Sequence, residues 1–146
     1  MEELIQDLYN SDNKIAYNAL NILVKLSEKN NTVYKYFDTF AEMLDNANSY
    51  IRTRGIILIS NNVKWDNNKI IEIIDKFLLH IEDTKPITSR QCIKSLDKII
   101  KYKKELIPLI KKKLLEINYL QYNSNMQSLI SKDVEKILNI IDTKDR

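Results

Sequence analysis

Glycine, cysteine, histidine and tryptophan each occur once in this chain of 146 residues, and proline twice. Each scarcity removes a class of function. One cysteine, Cys92, makes no internal disulfide and no thiolate cage, and one histidine, His80, makes no multi-imidazole metal site. Phosphate-cradling loops, dinucleotide fingerprints and nucleophile elbows each need more than one glycine, so Gly55 alone supports none of them. Linkers, collagen-like tracts and turn-rich sheets are excluded on the same composition. No apolar run approaches the roughly 20 residues that span a bilayer. The acidic start Met1-Glu2-Glu3-Leu4 lacks the basic opening of a signal peptide. The expectation is a single domain, residues 1–146, cytoplasmic, away from membranes, without cofactor or structural metal, and with no catalytic motif. The oligomeric state is left open.

What is abundant is isoleucine, lysine and asparagine, with 23, 19 and 16 copies, a usage that resembles that of AT-rich genomes. The net charge of +3 hides an asymmetry. Residues 1–75 carry 8 basic and 11 acidic side chains, and residues 76–146 carry 15 and 9. The second half is therefore the end to which a polyanion would be drawn.

Superimposed on this composition is a repeat. Ala19-Leu20, Gly55-Ile56 and Cys92-Ile93 open similar runs, closed at Leu23, Ile59 and Leu96. Val33, Ile70 and Ile107 stand 37 residues apart, as do Tyr36, Ile73 and Ile110. Within each unit the apolar residues recur at three- and four-residue spacings, which predicts paired helices. Ile15, Ala19, Ile22, Leu23 and Leu26 define one expected buried face, and Ile87, Cys92, Ile93, Leu96, Ile99 and Ile100 another. Ser11-Asp12-Asn13, Asp66-Asn67 and Thr84 are the expected caps. Ser124, with Gln127 three residues on, reads as a capping box for a last helix over 124–142. Pro86 and Pro108 fall at helix starts, where a missing N–H is tolerated. Gly55, inside a helix at a cost of about 1 kcal/mol relative to alanine, predicts close approach of a neighbouring helix. Cys92 holds the same small-residue position and is expected to be packed and inert. Phe37, Phe40 and Phe77 are expected core.

Paired helices at this period are the mark of a stacked α-solenoid. They resemble HEAT repeats over residues 12–117, and the resemblance implies an all-α fold. That fold is a right-handed α-α superhelix of about three helical-hairpin repeats, near 12–45, 49–81 and 85–117, plus capping helices. Residues 48–55 (NSYIRTRG), 64–66 (KWD) and 85–93 (KPITSRQCI) are similar to those of a group of small, uncharacterised bacterial HEAT-like proteins. The resemblance implies a scaffold that binds other proteins. A separate HEAT-like branch resembles DNA glycosylases for alkylated bases, which use tryptophan and aspartate in a positive groove.

The repeat leaves few residues to carry function. Arginine is scarce, four copies against 19 lysines, so Arg52, Arg54 and Arg90 stand out. They read either as planar forks for a carboxylate or phosphate, or as inter-repeat ion pairs to Asp83, Asp97 or another acid. Trp65 reads as an exposed anchor or as a seal over its loop, and Asp66 as a helix cap. Lys101, Lys103, Lys104, Lys111, Lys112 and Lys113, flanked by Tyr102, Tyr119 and Tyr122, read as a strand-binding surface or as a solvated face. His80 has no motif-level relation to a nucleophile or carboxylate. The leading expectation is a non-enzymatic protein or peptide interaction module, with Tyr50 or Trp65 at the centre of an exposed patch. The alternative is nucleic-acid binding, which requires the lysines and the three arginines to share one concave face.

Overall fold

In the computed structural model the described residues, 1–144, form eight α-helices and no strand. These are α1 (Glu2–Asp7), α2 (Asn13–Lys29), α3 (Phe37–Met43), α4 (Ser49–Asn62), α5 (Lys69–Leu79), α6 (Pro86–Tyr102), α7 (Ile107–Leu115) and α8 (Ser124–Lys144). Short 3-10 turns precede α3, α7 and α8 and follow α4 and α5. The longer helices pack in succession, α2 on α4, α4 on α6 and α6 on α8, while α1, α3 and α7 lie against α2, α4 and α8. The organisation is all-α and solenoid-like. None of the helices is long and apolar enough to cross a membrane among the described residues.

Asparagine and aspartate build the turns that deliver α2, α4 and α6. Asn10, Asn46 and Asp83 each accept, through Oδ1, the backbone N–H two residues on, at 2.8, 2.8 and 2.9 Å. Such side-chain turns hold the chain in place without glycine. Asp12 then caps α2 through Lys14 N at 2.9 Å, and Asn48 caps α4 through Tyr50 N at 2.9 Å. One expected cap moves by one residue, and another gives way to a turn, α6 having Lys85 at its N-cap with no side-chain cap. Asp83, not Thr84, is the turn acceptor before α6. Asn123, not Ser124, caps α8 by accepting Met126 N at 3.0 Å, and Gln127 Nε2 donates to Tyr122 O instead of closing a capping box. Pro86 opens α6, and Pro108 is the second residue of α7.

Phe37, Phe40 and Phe77 are fully buried, as are Leu23, Ile59 and Leu96. Gly55 is where α3 crosses α4: a Cβ there would lie 2.8 Å from Met43 Cβ and 2.9 Å from Phe40 O. Cys92 is fully buried, with its Sγ 3.5 Å from Phe77 O, and burial pushes its thiol well above the ordinary cysteine value. A polar pair interrupts the apolar layer between α2 and α4. Asn62 Nδ2 donates to Ser27 Oγ at 3.0 Å and to Leu58 O at 2.8 Å, while its buried Oδ1 has no partner.

Two expected core faces are corrected. In α2 the buried set is Ala16, Ala19, Leu20 and Leu23, with Ile15 and Ile22 exposed. Two alanines and two leucines face the neighbouring helices there, so the buried stripe is rotated away from Ile15 and Ile22. In α6, Ile87 is 61 % exposed, although Thr88 and Ser89 directly after it are buried.

Candidate functional site

The three arginines that the sequence singles out take different environments. Arg52 on α4 grips Asp83, donating from Nε to Oδ2 at 2.9 Å and from Nη2 to Oδ1 at 2.7 Å. Its Nη1 donates to the carbonyls of Asn46 and Ala47, both at 3.0 Å. Asp83 also accepts His80 Nδ1 at 2.7 Å, the carboxylate contact that the sequence did not reveal for this histidine. Facing an ionised carboxylate, Nδ1 carries the proton. Burial would raise the Asp83 carboxyl, but hydrogen bonds from His80, Arg52 and the Lys85 N–H, with the Arg52 charge, hold it below the usual carboxylate range. Arg90 on α6 pairs with Asp133 on α8, Nε to Oδ2 at 2.7 Å and Nη2 to Oδ1 at 3.3 Å. Arg52 thus ties α4 to the turn that opens α6, and Arg90 ties α6 to α8.

Arg54 differs from both. It is only 6 % exposed, yet among the described residues no carboxylate pairs with it. Nη1 donates to Leu8 O at 2.8 Å and Nη2 to Asn13 Oδ1 at 3.1 Å, and the guanidinium lies 6.0 Å from the Tyr50 ring centroid. Burial lowers its pKa from the ordinary arginine value, the direction expected of a desolvated cation.

Arg54 sits in the wall of an open groove of about 780 Å³ that crosses the first halves of α2, α4 and α6. Three large side chains stand along it, one from each helix: Tyr17, Tyr50 and Ile87, 63, 60 and 61 % exposed. Leu20, Ile57 and Pro86 supply apolar surface between them. Thr53 and Thr88 close the joint between α4 and α6 through a 2.9 Å hydroxyl pair. Lys14 and Lys85 stand with Arg54 as its cations, and among the described residues the groove is lined by no Asp or Glu.

The other expected residues lie elsewhere. Trp65 is half-buried beyond the C-terminal end of α4, with Nε1 donating to Ser27 O at 2.7 Å and Lys64 Nζ 5.1 Å from its ring. Asp66 caps α5, accepting Ile70 N at 2.9 Å and Lys69 N at 3.2 Å, and also takes the Tyr34 hydroxyl. Burial and that hydrogen bond push the Tyr34 phenol upward. Lys103 is used within the fold, donating to Asp66 O at 2.7 Å and Asn67 O at 3.1 Å. Lys101 joins Lys64, Lys98 and Tyr102 around a second, small cleft of about 130 Å³, and Lys104 is exposed on the turn before α7. Lys112 is exposed while Lys111 and Lys113 are half-buried, so the three fan around their helix. The lysines and arginines are thus not gathered into either hollow: Arg54 alone of the three arginines lines the groove, and Lys101 alone of the six lysines lines the cleft.

Of the residues read as candidates, Tyr50 and Arg54 share the groove, while Arg52, Arg90, Trp65 and Lys104 lie outside its lining. Sequence reading missed Lys14, Tyr17, Lys85 and Ile87. A signal for part of this set is present, because Lys14, Tyr50 and Ile87 occupy the same register position in successive first helices. Compared with protein families, curated proteins and solved structures, the chain matches none of them.

Proposed function

We propose that this chain is a HEAT-like module, a right-handed superhelix of about three helical hairpins closed by α8, that acts without catalysis by holding a protein or peptide segment. The observation that carries the proposal is the groove across α2, α4 and α6, where Tyr17, Tyr50 and Ile87 are exposed together. Exposed apolar surface gathered in a concavity is what a recognition site looks like, whereas singly scattered apolar residues are ordinary. The buried ion pair of Arg52 with Asp83 supports the same reading, because it fixes α4 against the start of α6, two of the three helices that line the groove.

Photo-crosslinking tests it. Benzoylphenylalanine placed at position 50 cross-links to a protein partner that, once purified, binds the wild type and is lost on Ile87→Asp. Cross-links formed equally from position 112, or partner binding that ignores Ile87→Asp, contradict the reading.

A second reading, nucleic-acid binding, is favoured by one observation, the meeting of Lys64, Lys98 and Lys101 with Tyr102 at the small cleft. Its glycosylase form needs a carboxylate beside an aromatic on the floor of a positive groove: Glu28 lines the small cleft with Tyr102, though that cleft holds only about 130 Å³, and the large groove offers Tyr50 without a carboxylate. Gel shifts with single- and double-stranded DNA and RNA at two salt concentrations decide this branch, and absence of binding at low salt removes it.

A further inference from the structure

The groove carries information about the chemistry of what fills it. Its charged residues are Lys14, Arg54 and Lys85, all of one sign. Arg54 is the unusual member. A guanidinium buried to 6 % exposure is ordinarily paired with a carboxylate, as the other two structurally placed arginines are here. Arg54 instead leans on a backbone carbonyl and an asparagine amide, both neutral. The groove also receives the opening residues of three helices, Asn13 and Lys14 of α2, Ser49 and Tyr50 of α4, and Pro86 and Ile87 of α6. The partial positive charge of the α4 and α6 ends adds to the three side chains, while the Asp12 cap offsets that of α2. Between the cations stand the apolar rungs Tyr17, Tyr50 and Ile87, one per helix.

The span of three helices accommodates a short stretch of extended chain. Helices packed roughly 8–10 Å apart make a groove across three of them about 16–20 Å long. At about 3.3 Å per residue, that is the reach of some five or six residues of extended peptide.

We infer that the groove binds an extended acidic peptide segment, in which Asp or Glu side chains meet Lys14, Arg54 and Lys85 and interspersed large apolar side chains lie against Tyr17, Tyr50 and Ile87. This rests on the proposed role of the groove as a protein-binding site. The acids provide orientation and on-rate, and the apolar contacts hold the segment once docked. Arg54, whose Nη1 and Nη2 each already make one hydrogen bond to neutral groups, supplies a desolvated positive charge with no acid of its own to satisfy it.

A displayed library of random octapeptides, selected at low salt against the full chain, tests the inference. Selected peptides are enriched in Asp and Glu next to Leu, Phe or Trp. Anisotropy of the labelled peptides shows binding weakened about tenfold or more by the rim double variant Lys14→Glu, Lys85→Glu, and weakened as well by Tyr50→Ala. Both sets of substitutions lie at exposed positions or on the groove rim, so folding is checked by circular dichroism alongside. Selection of neutral or basic peptides that still need Tyr50 overturns the acidic inference and leaves the groove reading standing. Selected peptides whose binding ignores both Tyr50→Ala and the rim variant overturn the groove reading as well. A labelled oligonucleotide that competes at these residues overturns the choice of peptide as occupant.

Discussion

Arg52 on α4 and Asp83 in the turn before α6 are joined by two parallel hydrogen bonds of 2.7 and 2.9 Å, with side-chain exposures of only 12 and 3 %. Asp83 simultaneously anchors the turn before α6 and receives His80, so one carboxylate ties α4, the end of α5 and the start of α6. Asp83→Ala leaves the guanidinium unpaired and mostly buried, and the expected loss is about 3 kcal/mol. Urea unfolding monitored by circular dichroism measures it.

The same carboxylate gives the fold a defined acid sensitivity. Its folded pKa is depressed, so its contribution is fully present above the unfolded value near 3.8 and is lost as pH falls from there towards the folded value. Wild type therefore loses stability on going from pH 5 to pH 3 by more than Asp83→Asn does. Equal pH slopes in the two proteins would remove this pair from the account.

Gly55→Ala is a test of packing against propensity. Alanine gains about 1 kcal/mol within a helix. Here its methyl would meet Met43 Cβ at 2.8 Å and the backbone oxygen of Phe40 at 2.9 Å, neither of which is the free end of a flexible side chain. Overpacking of this kind costs about 1–3 kcal/mol, so the variant unfolds at lower urea than wild type. A stabilised Gly55→Ala would mean that α3 yields easily at this crossing.

Cys92 is expected to be silent to thiol reagents. It is fully buried, and desolvation first, then the Asp83 charge, raises the thiol well above its ordinary value. Thiolate is the reactive form, so colour development with a disulfide reagent follows global unfolding and not the reagent's concentration. Fast labelling of the native protein contradicts the packing described for α6.

Arg90→Ala acts on α8. Loss of its pair with Asp133, which is only 6 % exposed, leaves an unpaired carboxylate between α6 and α8. Amide exchange in α8 is expected to accelerate more than in α2, which reads local loosening rather than global destabilisation.

How far the sequence reaches follows from particular residues. The 37-residue register locates the helices and accounts for Gly55, Cys92 and the phenylalanines, because a packed interior imposes its spacing on apolar residues. It misplaces Ile15, Ile22 and Ile87, since hydrophobicity alone does not say which of two apolar stripes meets a neighbour. It also misses the His80–Asp83 contact, expects a cap at Thr84 where Asp83 forms the turn instead, and puts the cap of α8 one residue past Asn123, choices that depend on which oxygen the turn brings nearest. The groove was the least legible feature. Tyr17, Tyr50, Ile87 and Arg54 come from three helices, and Arg54 becomes distinctive only when its partners prove to be Leu8 O and Asn13.

Tyr50→Ala separates binding from folding. The side chain is 60 % exposed, so stability should stay within about 0.5 kcal/mol of wild type. Its loss should nevertheless weaken any partner that lies along the groove.

The central claim is that partners meet this chain across the first halves of α2, α4 and α6, and amide hydrogen exchange with and without a groove-selected peptide tests it most directly. The account predicts new protection confined to the opening turns of those three helices, around Lys14–Tyr17, Tyr50–Arg54 and Pro86–Thr88. Protection centred instead on Lys98–Lys113, or none that distinguishes these turns from the rest of the chain, would contradict it.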